Sequence, residues 1–143
     1  MNEQRVVNTS PLIYLSRAGL MDLLRMGAGS VAVPREVADE VHAWHTADAA
    51  QQALATLAWL SVLPPQNIPA PVLAWDLGTG ESAVIAAGIA TPGLTLVLDD
   101  LAARRCAAAF GLPVRGTLGL VLLAKKRGTI PSARDALRQL RAA

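Results

Sequence analysis

The chain has 143 residues and a formal net charge of +2, with 52% apolar and 17% charged residues. That balance is globular, not disordered, and the length suits one domain over 1–143 with its own core. A disulfide scaffold is excluded because Cys106 is the only cysteine, and a membrane span because no apolar run reaches the ~18 residues one needs.

In chain order, a short strand beginning at Arg5 is followed by a turn at Asn8-Thr9-Ser10-Pro11, where Ser10 reads as an N-cap and Pro11 as the first helical residue. Leu12, Leu15, Leu20, Leu23 and Leu24 keep helical spacing, with Gly19 dividing the run into two helices. Ser30–Pro34 reads as a second strand. The helix after it places Val37 and Val41 on one face and Glu36 and Glu40 one turn apart. Helical periodicity resumes over 47–60, and Ser61–Leu63 is a strand fragment. Residues 64–71 hold four prolines and read as a loop.

Gly78-Thr79-Gly80 leads into an apolar helix over 81–90. Leu94–Leu98 is a continuous apolar run of the kind a central parallel strand shows. A helix over 102–110 stops at Gly111, Leu112–Val114 is a brief strand, and a helix over 118–127 closes at Gly128. Ser132 and Asp135 resemble a capping box that opens a basic last helix, 132–143. Strands alternating with helices predict a parallel sheet covered on both faces. Cys106 is expected to be a small buried helix residue. The N-terminal stretch lacks the basic and apolar regions of a signal peptide, so a reducing cytoplasm is the expected compartment.

Charge is unevenly distributed. Four basic residues face ten acidic ones up to residue 103, and nine face one from 104 onward. Ligands of open α/β sheets bind beyond the carboxyl ends of the strands. Asn8 follows the first strand and Asp99-Asp100 the central one, while Glu40 and Glu81 lie on helices able to border the same crevice. Three or four carboxylates converging there would repel one another unless a cation held them, and oxygen ligands favour Mg²⁺ or Mn²⁺ over zinc. His42 and His45 lack the spacing of a metal-ligand pair. Asp22, Asp39, Asp48 and Asp76 read as surface residues.

The order VVNTSPLI (6–13), VPREVADEV (33–41), GTGESA (78–83), LDDLAAR (98–104) and GTLGLVLLAKKRG (116–128) resembles the PIN-domain superfamily. More narrowly, it is similar to the small prokaryotic PIN-like, toxin-type ribonuclease branch. The resemblance implies a three-layer α/β/α sandwich with a central, mainly parallel sheet, and Mg²⁺- or Mn²⁺-dependent hydrolysis of RNA. It puts Glu40, Glu81, Asp99 and Asp100 in the catalytic set, with Asn8 joining them as a metal ligand where PIN nucleases carry aspartate. It also implies a homodimer and a small antitoxin protein as partner. A catalytically inactive PIN-like domain that binds RNA or protein is the alternative.

Each residue also has a plain structural role open to it. Glu40 can be a solvated helix residue, Glu81 a favourable charge at a helix N-terminus, Asp100 an N-cap, and Thr117 a cap or a polar contact to the site. Arg104, Arg105, Lys125 and Lys126 are the residues expected to meet nucleic acid. Arg134, Arg138 and Arg141 share one helix face able to track phosphates. Trp44, Trp59 and Trp75 read as core or interface anchors, so little recognition by base stacking is expected.

Overall fold

A computed structural model of the protein describes residues 3–143; Met1 and Asn2, part of the N-terminal stretch read above, lie outside the described residues. The elements run β1 (Glu3–Val7), α1 (Thr9–Arg17), α2 (Met21–Arg25), β2 (Ala28–Pro34), α3 (Arg35–Ala43), α4 (Asp48–Thr56) and β3 (Leu60–Leu63). They continue as α5 (Ala70–Leu73), α6 (Thr79–Ala90), β4 (Leu94–Val97), α7 (Leu101–Ala109), β5 (Val114–Arg115), α8 (Thr117–Lys126) and α9 (Ala133–Ala142). The five strands pair in parallel throughout, in the order β3-β2-β1-β4-β5.

Side chains alternate across the sheet, so each strand feeds two different layers. Arg5 points to one face, where its guanidinium donates to Leu24 O of α2 at 2.9 Å. α2 packs there against β2 and α8, and α9 lies on α8 and α1. Val6 and Leu96 point to the other face, where Leu96 meets the bare Cα of Gly88 in α6. α6 packs on β4, β1 and β2, with α7 beside it. The result is an α/β/α sandwich whose middle layer contributes Val6, Val7, Leu96, Val97 and Leu98, all fully buried.

This winding has a consequence for ligands. From β1 the chain moves outward through β2 to β3, then returns through α6 to β4 on the other side of β1 and continues to β5. The direction therefore reverses between β1 and β4, and open α/β sheets offer their binding crevice at the carboxyl ends of such a pair. Asn8 and Asp99 follow those two strands.

Several boundaries differ from the sequence reading, each for a local reason. α1 begins at Thr9, so Asn8 and not Ser10 holds the N-cap position. The second strand starts at Ala28, and the helix expected to reach residue 60 ends at Thr56, because Leu60 is already paired with Val31. The proline-rich loop contains the short α5, entered from Pro69 with a second proline in its first turn. The last strand is Val114–Arg115: Pro113 has no N–H to donate, and contributes only its carbonyl to Leu96 N at 2.9 Å. Gly19 divides α1 from α2 as expected, at φ +70°. Ser132 caps α9 by accepting from Asp135 N at 3.1 Å.

One charged group is sealed under the helices. Arg5 is 1% exposed and pairs with Glu3, which Arg115 reaches from β5 at 3.2 Å. Burial pushes the Glu3 carboxyl up, but hydrogen bonds from Arg115 and Arg5 outweigh it and hold the group below its usual range. Cys106 is fully buried, and burial raises its thiol, which leaves little reactive thiolate.

Candidate functional site

Asn8 sits where an asparagine side chain ordinarily caps a helix, with extended backbone at φ −84° and ψ 171°. Its side chain makes no cap bond. The residue is 4% exposed, and Oδ1 has no hydrogen-bond partner among the described residues. A buried amide oxygen left without a donor costs about 1–3 kcal/mol, so such an atom calls for an explanation.

Glu40 is its neighbour. Glu40 Oε2 accepts from Thr9 Oγ1 at 2.6 Å, and Oε1 accepts from Gly80 N at 2.9 Å. A Cβ built on Gly80 would lie 2.9 Å from both carboxylate oxygens and 3.1 Å from Asn8 Oδ1. The three oxygens therefore gather around the bare face of Gly80, which explains the second glycine of the Gly78-Thr79-Gly80 turn. Glu36, one turn earlier on α3, instead holds Gln66 N at 2.9 Å.

Asp99 stands at the end of the adjacent strand. Its Oδ1 accepts from Thr117 N at 2.7 Å and its Oδ2 from Thr117 Oγ1 at 2.6 Å. Asp100 turns the other way and caps α7 by accepting from Ala103 N at 2.9 Å. Glu81 reaches back to Gly78 N at 3.0 Å; Gly78 has no side chain, so only this half of a capping box forms.

Each predicted carboxylate thus serves a helix N-terminus, where unpaired N–H groups and the macrodipole favour negative charge. Glu40 and Glu81 serve α6, Asp100 serves α7, and Asp99 serves α8. This corrects the expectation that three or four acids converge. Among the described residues, no three Asp, Glu, His or Cys side chains stand close enough to share a metal ion. Glu40 and Glu81 meet the start of one helix, and Asp99 and Asp100 the starts of two others.

The DUF3368 family model, described as a PIN domain, matches residues 4–143. The chain belongs to the PIN-domain family. No curated protein matches the sequence. No helix among the described residues is long and apolar enough to cross a membrane.

PIN domains typically use divalent metal ions. The donor set of this PIN domain suits a small hard cation through two residues, Asn8 Oδ1 and the Glu40 carboxylate. Mg²⁺ characteristically takes one or two carboxylates and completes its shell with water and substrate phosphate. The carboxylate oxygens of Glu40 and Asp99 each use one hydrogen bond and retain a lone pair for further coordination.

The basic residues from 104 onward lie partly at the crevice and partly away from it. Arg104 donates to Leu98 O at 3.2 Å and lies against Gly116, next to Asp99. With Arg115 and Asp99 it borders a cavity of about 530 Å³ whose rim carries Leu101, Leu118 and Leu122. Arg105 is exposed on α7. Lys125 donates to Pro131 O at 3.0 Å and fastens the turn into α9, with Lys126 exposed beside it. Both lie roughly 12 Å along α8 from Thr117, by helical rise alone, and so do not join the crevice. Arg134, Arg138 and Arg141 line a single depression of about 350 Å³ on α9.

Sequence reasoning passed over two residues here. Thr9 was read as part of a turn, but its hydroxyl orients Glu40. Trp44, expected as a core or interface anchor, is 45% exposed and so lies outside the core, and lines a hollow of about 460 Å³ with Glu40, Ala43 and His45. The available signal was spacing, since Trp44 follows Glu40 by four residues and so shares its side of the helix.

Proposed function

We propose that this PIN domain is a Mg²⁺- or Mn²⁺-dependent ribonuclease that hydrolyses RNA phosphodiester bonds. The observation that carries the reading is Asn8 Oδ1, buried and unpartnered beside the Glu40 carboxylate at the point where the sheet reverses direction. Asn8 and Glu40 would hold a cation there, and its chemistry would be to activate a water and neutralise charge on the phosphate. Thr9 and Gly80 N fix the Glu40 carboxylate, and Thr117 fixes Asp99 at the adjacent strand end. Arg104 offers a guanidinium beside Asp99 for a phosphate oxygen. The α9 face of Arg134, Arg138 and Arg141 offers three more charges to the RNA backbone. Asn8 brings no charge of its own, so the metal is held more weakly than an aspartate there would hold it.

With that activity we place a toxin role in a toxin–antitoxin pair, a small antitoxin protein as partner, a homodimer and a cytoplasmic location. Leu101, Leu118 and Leu122 support a protein contact: all three are more than half exposed and rim one cavity. The single, buried Cys106 suits a reducing compartment.

One observation favours a second reading, a PIN domain that binds RNA or protein without cleaving. Every predicted carboxylate already has a structural partner at a helix N-terminus. Mn²⁺ titration calorimetry on wild type, Asn8→Ala and Glu40→Gln, with RNA cleavage measured in parallel, separates the two. Metal binding lost in both variants together with metal-dependent cleavage supports the nuclease. RNA binding without cleavage at any metal concentration supports the second reading and refutes the first.

A further inference from the structure

We propose that the hollow between Glu40 and Trp44 is a nucleobase subsite, taking an unpaired RNA base stacked on the Trp44 indole. The inference rests on the ribonuclease reading and extends it to the form of the substrate.

Trp44 follows the last turn of α3, and its backbone N–H donates to Glu40 O at 3.1 Å and to Val41 O at 3.3 Å. The root of the indole is therefore fixed to the turn that carries Glu40. Beyond it the chain leaves the helix with extended backbone, at φ −89° and ψ 104°. That exit leaves Trp44 45% exposed beside an unfilled hollow, in a chain with only three tryptophans. Burying so large an aromatic against the core would be favourable, and Trp59 shows the ordinary outcome. It packs on the main core, with the Arg25 guanidinium 5.6 Å from its ring centre. Trp44 has no such cover.

The walls of the hollow match a base. The hollow is lined by Trp44 and His45, two residues with flat aromatic rings, together with Ala43 and Glu40. It is a shallow, open depression of about 460 Å³ that leaves one face of a stacked ring to solvent. Position decides the occupant. Glu40 belongs both to the lining of the hollow and to the oxygens gathered around Gly80, so a phosphate at those oxygens and a base on Trp44 have one residue as a common neighbour. Proteins that recognise RNA stack splayed bases on aromatic rings, which a base inside a duplex cannot supply. The substrate is therefore a single strand or a loop. Trp75, though 40% exposed, does not line the hollow and serves as the internal control.

The test is fluorescence anisotropy of a short labelled single-stranded RNA with metal chelated, on wild type, Trp44→Ala, Trp44→Phe and Trp75→Ala. Losing one stacking platform should weaken binding roughly 5- to 150-fold in Trp44→Ala. Trp44→Phe should recover most of it, Trp75→Ala should match wild type, and an RNA duplex should compete poorly. RNA should also quench tryptophan emission in wild type and leave the remaining emission of Trp44→Phe largely unchanged. Trp44→Ala binding within twofold of wild type would overturn the subsite while leaving cleavage intact. Tight, Trp44-dependent binding of RNA that no metal causes to be cleaved would instead refute the nuclease and keep the subsite. Failure of the wild type to bind single-stranded RNA would overturn the subsite outright.

Discussion

Replacing Asn8 by aspartate puts a second carboxylate against Glu40, and the structure sets the cost. Asn8 Oδ1 and both Glu40 oxygens lie about 3 Å from one point above Gly80. For two charges ~5 Å apart at an effective dielectric constant of about 20, the repulsion is ~3 kcal/mol. Without metal, Asn8→Asp should therefore unfold ~2–3 kcal/mol more easily, a fall in Tm of ~6–10 °C for a chain of this length. Added Mn²⁺ should reverse the order. A cation that binds only the folded state contributes ~2.7 kcal/mol at a hundred times its Kd, and the aspartate variant should reach that level at lower metal concentration. Thermal melts with EDTA and across a Mn²⁺ series at pH 7 measure both effects. Equal Tm values with EDTA at pH 7, or equal metal response in both proteins, would refute the placement of Asn8 and Glu40 around one cation.

Gly80→Ala should lower Mn²⁺ affinity at least tenfold and cost ~1–3 kcal/mol of stability, because the new methyl group must displace Glu40; calorimetry and urea melts check it. Asp100→Ala should cost about 1 kcal/mol through loss of the α7 cap while changing RNA cleavage no more than threefold, which sets it apart from Asp99. Thr117→Val should cost ~1–2 kcal/mol, since Asp99 loses its hydroxyl donor and keeps only the backbone one; a denaturant midpoint shift without change in slope is the expected signature. Glu3 is held below its usual carboxyl range in the folded state. It therefore contributes stability above its unfolded value that is lost as pH falls through the lower folded one. Glu3→Gln should flatten the acid limb of the stability profile, as chemical denaturation between pH 2 and pH 6 would record.

Much of this molecule was legible from local pattern. The apolar run of β4, the break at Gly19 and the capping serine of α9 depend on near neighbours, and all stand where sequence reasoning put them. Boundaries slipped where pairing decided the outcome, as at Leu60 and Pro113. The candidate site was legible as a set of residues near strand ends, and the helix-end roles open to Asp100 and Glu81 were legible from their near neighbours. That Asp99 serves a different helix from Asp100 was not, because only the placement of α8 beyond β5 brings Thr117 to it. For Trp44 the sequence leaves core and interface both open, and its exposure removes only the core: whether a tryptophan at a helix end meets the core depends on the direction the chain takes afterwards.

The helix ends described above also bear on how this site can change through evolution. Glu40, Glu81, Asp99 and Asp100 each secure the start of a helix, so selection for folding alone would retain them in a lineage that had given up chemistry. Asn8 secures nothing with its side chain. It is the member of the set that can change between acid and amide without removing a helix cap, and so the position at which activity can be tuned by a single substitution, at the cost in metal-free stability that a second carboxylate beside Glu40 brings.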